Sequence, residues 1–186
     1  AMMSREIKES EVKQANEKGV KPKLTVIAYD CIVPVVNPAN KVQDLTMAQL
    51  KDIYTGKVKD WKEVGGEPGK IVVVSRDSSS GTYEFWGEHV LKKERVFAGA
   101  LLQASNGAVV QTVAKNKYAI GYVGLAYAQN KEVKDVKVGG VMGTADNVLN
   151  KSYAVSRTLN LYTDGEPAGE PGAFIKFFLG PEGQKL

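Results

Sequence analysis

Four residues whose types suit anion binding stand close together in the stretch VVVSRDSSSGTYEFW: Arg76, Ser80, Gly81 and Thr82. A guanidinium presents a planar, two-pronged set of N–H donors matched to an oxyanion. Serine and threonine hydroxyls donate single protons, and a glycine lets the main chain approach a ligand closely. The valines before Arg76 read as a buried strand, and the aromatic residues after Thr82 recur at helical spacing. The cluster therefore falls where a strand gives way to a helix, which is where ligands collect in an open α/β sheet. A helix start adds unpaired main-chain N–H groups and the positive end of its dipole. Asp77 or Glu84 is expected to brace the guanidinium. An equally ordinary account makes Ser80 an N-cap in a hydroxyl-rich turn and Arg76 a surface charge.

The rest of the composition narrows the chemistry. Neither the GK[ST] phosphate loop nor the GxGxxG dinucleotide pattern is present. A serine nucleophile is disfavoured, because GxSxG is absent and the sole histidine, His89, falls about two turns into the helix. One histidine and one cysteine leave almost no material for a zinc site or a histidine-based triad. Cys31, in YDCIVPVV, reads as a small buried residue, and alone it forms no disulfide within the chain. No cofactor is implied. A formal charge of +4 is carried by lysines scattered among acids, with no basic run interleaved with aromatics, which argues against nucleic acid as a partner. No apolar run reaches the ~18 residues of a membrane span.

The elements that must position the cluster can be read in order. At 186 residues the chain suits one domain or two small lobes. Ser4 to Lys18 reads as a charged helix, with Ser4 as N-cap and Gly19 as its stop. Leu24 to Asn37 is nearly continuous in apolar residues, as a strand buried on both faces would be, with a bend or an edge at Pro34. Thr46 opens a helix through the capping-box pattern TMAQ, closed by Gly56. Ile71–Val74 is a short strand and 82–93 a helix. Ser105 or Asn106 caps a helix running to Lys115, followed by the strand YAIGYV. A strand at 136–138, a short helix at 145–149, a strand at 153–162 and a last helix over AFIKFFL complete the chain. The glycines of VGGVMGT mark a tight crossing near Met142. Trp61, Trp86 and Phe85 read as core. This alternation predicts an α/β sheet with helices on both faces.

The order of segments resembles the substrate-binding protein family of phosphate ABC transporters. The segments are MSREIKESE, IAYDCIVPVVNP, LTMAQLKDIYTGKVKDW, SRDSSSGTYEFW, SNGAVVQTVAKNKYAIGYV, YAVSRTLNLYT and FIKFFLGPEGQ. No single motif is decisive, but their order and spacing cover nearly the whole chain. The resemblance implies a periplasmic-binding-protein-like, two-lobed α/β fold, with the second lobe complete and the first partial. Its expected divisions are 1–33 (first lobe and hinge strand), 34–152 (second lobe) and 153–186 (return strand and last helix). It also implies inorganic phosphate as ligand, the membrane permease of a phosphate ABC importer as partner, and an extracytoplasmic location, periplasmic or lipid-anchored. The family's arginine and Ser-Gly-Thr motif falls on Arg76, Ser80, Gly81 and Thr82. Ser4 falls where the family's first lobe supplies a further ligand group. Ser105 and Asn106 are further candidates that serve equally well as plain helix caps.

Two departures from the family pattern stand out. Family members begin earlier, with a strand, a loop rich in glycine and hydroxyl residues, and a helix that hold phosphate from the other side. The chain thus reads as a fragment, expected to bind phosphate weakly and to expose an apolar face. Some relatives also carry an aspartate after the serine aligned with Ser4, which accepts a proton from phosphate and so rejects sulfate; here Arg5 stands there. Asp30 is either a substitute acceptor or a residue that fixes the hinge. The alternatives to transport are a phosphate-ester hydrolase on the same scaffold and a sensor or adhesion module.

Overall fold

The computed structural model describes residues 1–185. The chain forms two compact units: residues 31–156, and residues 1–30 together with the chain from Arg157 onward. The divisions at 33/34 and 152/153 expected from the resemblance lie inside the larger unit. Cys31 and Ile32 already pack in its core, and the Ile32 N–H bonds the Val155 carbonyl at 2.9 Å.

The larger unit is built on a sheet. Strand β2 (Pro22–Val36) enters it at Cys31 and pairs antiparallel with β6 (Ala119–Gly124) from Ile32↔Gly124 to Val36↔Ile120. On the far side of β6 lies β4 (Val72–Arg76), parallel to it, and then β5 (Leu101–Gln103), parallel to β4. Strand β7 (Lys134–Asp135) pairs with Val35 and Val36 of β2. A separate parallel pair joins β3 (Asp44–Leu45) to β8 (Lys137–Val138). All of β6 is buried, as its unbroken apolar run requires. Pro34 does not break β2: it stands opposite Tyr122, and its carbonyl accepts from the Val136 N–H at 2.9 Å.

Helices cover this sheet. Helix α2 (Met47–Tyr54) starts at Thr46, whose hydroxyl takes the Gln49 N–H while the Gln49 side chain takes the Thr46 N–H; Gly56, at φ +78°, follows its end. Helices α3 (Gly81–His89) and α4 (Asn106–Ala114) follow β4 and β5. Helix α4 packs hard on β6, and a Cβ placed on Gly121 would stand 2.5 Å from Val109 Cγ1. The short helices α5 (Leu125–Ala128) and α6 (Ala145–Leu149) complete the unit. Its core holds Trp61, Trp86, Tyr54, Tyr122 and Tyr153, each at most 1 % exposed, among valines and isoleucines. Cys31 is buried among them.

In the smaller unit β1 (Met2–Met3) runs antiparallel to β9 (Ser156–Asp164), with Met3 opposite Asn160. The first part of β2 lies beside β9, tied by Lys21 N–H to Asp164 at one end and by Asp30 to Arg157 at the other. Helix α1 spans only Glu9–Glu17, so Ser4 is not its N-cap. Residues 4–8 are held against β9 instead: Asn160 Nδ2 donates to the Arg5 carbonyl and the Ile7 N–H donates to the Tyr162 hydroxyl. The helix starts where Glu11 reaches back to the Lys8 N–H at 2.9 Å. Helix α7 (Gly169–Leu179) buries Ile175 and leaves Phe174, Phe177 and Leu179 about half exposed. No helix among the described residues is long and apolar enough to cross a membrane.

Candidate functional site

Strand β4 ends at Arg76 because both its neighbours let it go. Pairing with β6 stops at Val73↔Ile120, and pairing with β5 stops at Arg76↔Gln103. The guanidinium then folds over the start of α4. Its Nε donates to the Gln103 carbonyl at 3.2 Å, Nη2 to the Ala104 carbonyl at 3.0 Å, and Nη1 to Asn106 Oδ1 at 3.4 Å. The side chain is only 12 % exposed. A guanidinium carries five N–H donors, and these bonds leave one on each terminal nitrogen, the pair that grips an oxyanion with two prongs. The bracing expected of Asp77 or Glu84 falls mainly to main-chain carbonyls, which fix geometry without cancelling the charge. Asp77 Oδ2 stands 3.8 Å from Nη2.

Between Arg76 and the helix, Asp77 shapes the turn. Its Oδ1 accepts from the Ser79 N–H at 3.0 Å and from the Ser79 hydroxyl. The Ser79 hydroxyl, then the Ser79 N–H, holds the Asp77 carboxyl below the usual carboxylate range. Ser80, 8 % exposed, is the N-cap of α3. Its oxygen accepts from the Thr82 N–H at 3.2 Å and the Tyr83 N–H at 3.4 Å. The capping role expected of Ser80 is therefore real, and it uses only the oxygen's acceptor side; the hydroxyl proton remains a donor. Gly81 is the first helical residue, where an N–H has no intrahelical acceptor. Thr82 is buried on the same turn.

The remaining candidates divide. Ser105 caps α4, its Oγ accepting from the Ala108 N–H at 3.1 Å, and Asn106 is turned to Arg76. Ser4 belongs to the smaller unit, half-buried in the bend after β1. Arg5 beside it forms a two-pronged pair with Glu11, each contact 2.8 Å. Asp30 is paired with Arg157. His89 stacks on Phe85 with centroids 3.8 Å apart, and its Nδ1 lies 3.1 Å from the Phe85 carbonyl. The described residues contain no group of three or more histidine, cysteine or carboxylate side chains able to hold a metal. Residues that sequence reasoning missed are Gln103 and Ala104, which act through carbonyls that every residue has, and Tyr122, which sequence places only in a buried strand.

A family model described as the PBP superfamily domain matches residues 1–182. The Staphylococcus epidermidis phosphate-binding protein PstS is 41 % identical over 97 % of this chain, and the Staphylococcus aureus PstS is 38 % identical over the same share. The chain spans 59 % of the length of each of these curated relatives. Among solved structures, a phosphate ABC transporter substrate-binding protein from Clostridium perfringens, with bound phosphate, superposes with a TM-score of 0.88 at 43 % identity. That match covers all of this chain and 74 % of the other. An ABC-type phosphate transport receptor from Vibrio cholerae gives a TM-score of 0.85 at 31 % identity, covering all of this chain and 75 % of the other. The chain belongs to the PBP superfamily, and within it to the family of phosphate ABC transporter substrate-binding proteins.

Proposed function

We propose that the protein carrying this chain captures inorganic phosphate outside the cytoplasm and delivers it to the permease of an ABC importer. In this reading Arg76, the Ser80 hydroxyl, the Gly81 N–H and Thr82 hold the ion. The observation that carries the reading is the state of Arg76. Its guanidinium is fixed by three acceptors with one N–H left on each terminal nitrogen and Asp77 Oδ2 3.8 Å from Nη2, on the strand end that leads into the capped start of α3. A dehydrated oxyanion is costly to bury unless a cation and several dipoles meet it, and Arg76 with the hydroxyl and main-chain donors at the start of α3 would supply that set.

Binding without turnover fits the same residues. His89 is stacked on Phe85, Cys31 is buried, and Asp77 is committed to Ser79, so none of these three stands ready as a base to activate water. Titration calorimetry of the full-length protein with phosphate and with sulfate tests the reading, alongside incubation with a generic phosphate ester. Saturable phosphate binding at one site per molecule and no ester cleavage are expected. Ester hydrolysis dependent on Ser80, or absence of phosphate binding, would overturn it.

A further inference from the structure

We propose that Tyr122 is the positioning residue of this anion site: its hydroxyl holds the strand end that presents Arg76, and its ring holds the helix that Ser80 opens. The inference rests on the reading of Arg76 and Ser80 given above and adds to it a residue that does not touch the ion.

The observation is the place where the sheet comes apart. Strands β4 and β6 pair only at Val72↔Ala119 and Val73↔Ile120, yet β4 continues to Arg76 with β5 alone beside it. The side facing β6 would leave main-chain groups without partners in a dry interior. Two phenols fill the opening. The Tyr54 hydroxyl lies 3.2 Å from the Val74 carbonyl and 3.4 Å from the Ile120 carbonyl. The Tyr122 oxygen accepts from the Arg76 N–H at 3.3 Å and stands 2.9 Å from Ser75 Oγ. Ser75 Oγ in turn donates to the Arg76 carbonyl at 3.2 Å. One assignment satisfies every group: Tyr122 donates to Ser75, Ser75 donates to the Arg76 carbonyl, and the Arg76 N–H returns to Tyr122. Both main-chain groups of Arg76 are thereby tied to one phenol.

The same ring reaches the other arm of the site. Tyr122 and Trp86 are fully buried and stack with centroids 4.4 Å apart and planes 9° from parallel. Trp86 lies on α3, the helix whose first turn holds Ser80, Gly81 and Thr82. Stacking of this kind adds to the area buried and fixes orientation. One side chain is therefore hydrogen-bonded to the main chain of the arginine and stacked on the helix that Ser80 opens. Burial pushes the Tyr122 hydroxyl up to about 12, which keeps it a neutral phenol through the neutral range.

The test is phosphate titration of the full-length protein carrying Tyr122→Phe, which removes the hydroxyl and keeps the stack. Affinity is expected to fall about fivefold while tryptophan emission, to which Trp61 and Trp86 both contribute, stays parental. In an Arg76→Ala background the same substitution is expected to cost nothing more, because the group it positions is gone. Where that background binds too weakly to compare, the Arg76 amide decides: its proton resonance should move in Tyr122→Phe, and an unmoved resonance overturns the proposal. Parental affinity in Tyr122→Phe, or an equal loss in both backgrounds, also overturns it. Parental affinity in Arg76→Ala alone would instead strike down the site reading beneath it, so the two failures are told apart.

Discussion

Two donors of Arg157, Nε at 3.0 Å and Nη2 at 2.7 Å, converge on one carboxylate oxygen of Asp30. The Arg157 side chain is 7 % exposed and that of Asp30 20 %. A carboxylate so engaged links β2 to β9 within the smaller unit. Asp30→Asn is expected to lower stability by about 2 kcal/mol, since a mostly buried arginine loses its anionic partner. The ratio of phosphate to sulfate affinity should stay unchanged. Denaturant unfolding and paired titrations check both, and a collapse of the ratio would make Asp30 the proton acceptor after all.

Arg5 and Glu11 give a pH dependence with a defined sign. The Arg5 side chain and then the Lys8 N–H pull the Glu11 carboxyl down from 4.5 to about 2. A lowered folded value contributes stability above the unfolded value near 4.5, and that contribution disappears as pH falls from there towards 2. The melting temperature of the parent should exceed that of Glu11→Gln at pH 6, and the gap should close between pH 4.5 and 2. A gap independent of pH would contradict this account of how α1 begins.

Asn106 is turned to Arg76 across 3.4 Å, a long bond with a charged donor. Asn106→Ala should weaken phosphate binding about threefold, less than the loss of a short charge-assisted bond. Calorimetry is the check. A loss of a hundredfold would mean that Asn106 meets the ion directly.

Gly121 tests how closely α4 must lie on β6. An alanine Cβ there would meet Val109 Cγ1 at 2.5 Å and Val113 Cγ2 at 3.0 Å. Valine side chains in a helix have little rotamer freedom with which to yield. Gly121→Ala should cost about 1–3 kcal/mol in denaturant unfolding and should loosen Arg76, because α4 carries Asn106. Parental stability would show that the helix moves aside freely.

Much of this architecture was legible in the residues. The capping box at Thr46 and Gln49, the buried run at β6 and the strand-to-helix position of Arg76 and Ser80 follow from local pattern. The start of α1 did not, because Ser4 looks like a cap and the distant Asn160 and Tyr162 help to hold residues 4–8 out of the helix. The acceptors of Arg76 were equally hidden. Two are main-chain carbonyls, brought within reach by the pairing of β4 with β5, and no side-chain motif encodes that register. Tyr122 was legible as core, while its hydroxyl's role depends on where β4 and β6 stop pairing.

The most direct measurement is phosphate titration of the full-length protein beside its Arg76→Ala variant, with folding checked by circular dichroism. Removing a fixed two-pronged cation should weaken binding by about a hundredfold or more. A folded Arg76→Ala protein that binds phosphate as tightly as its parent would contradict the account.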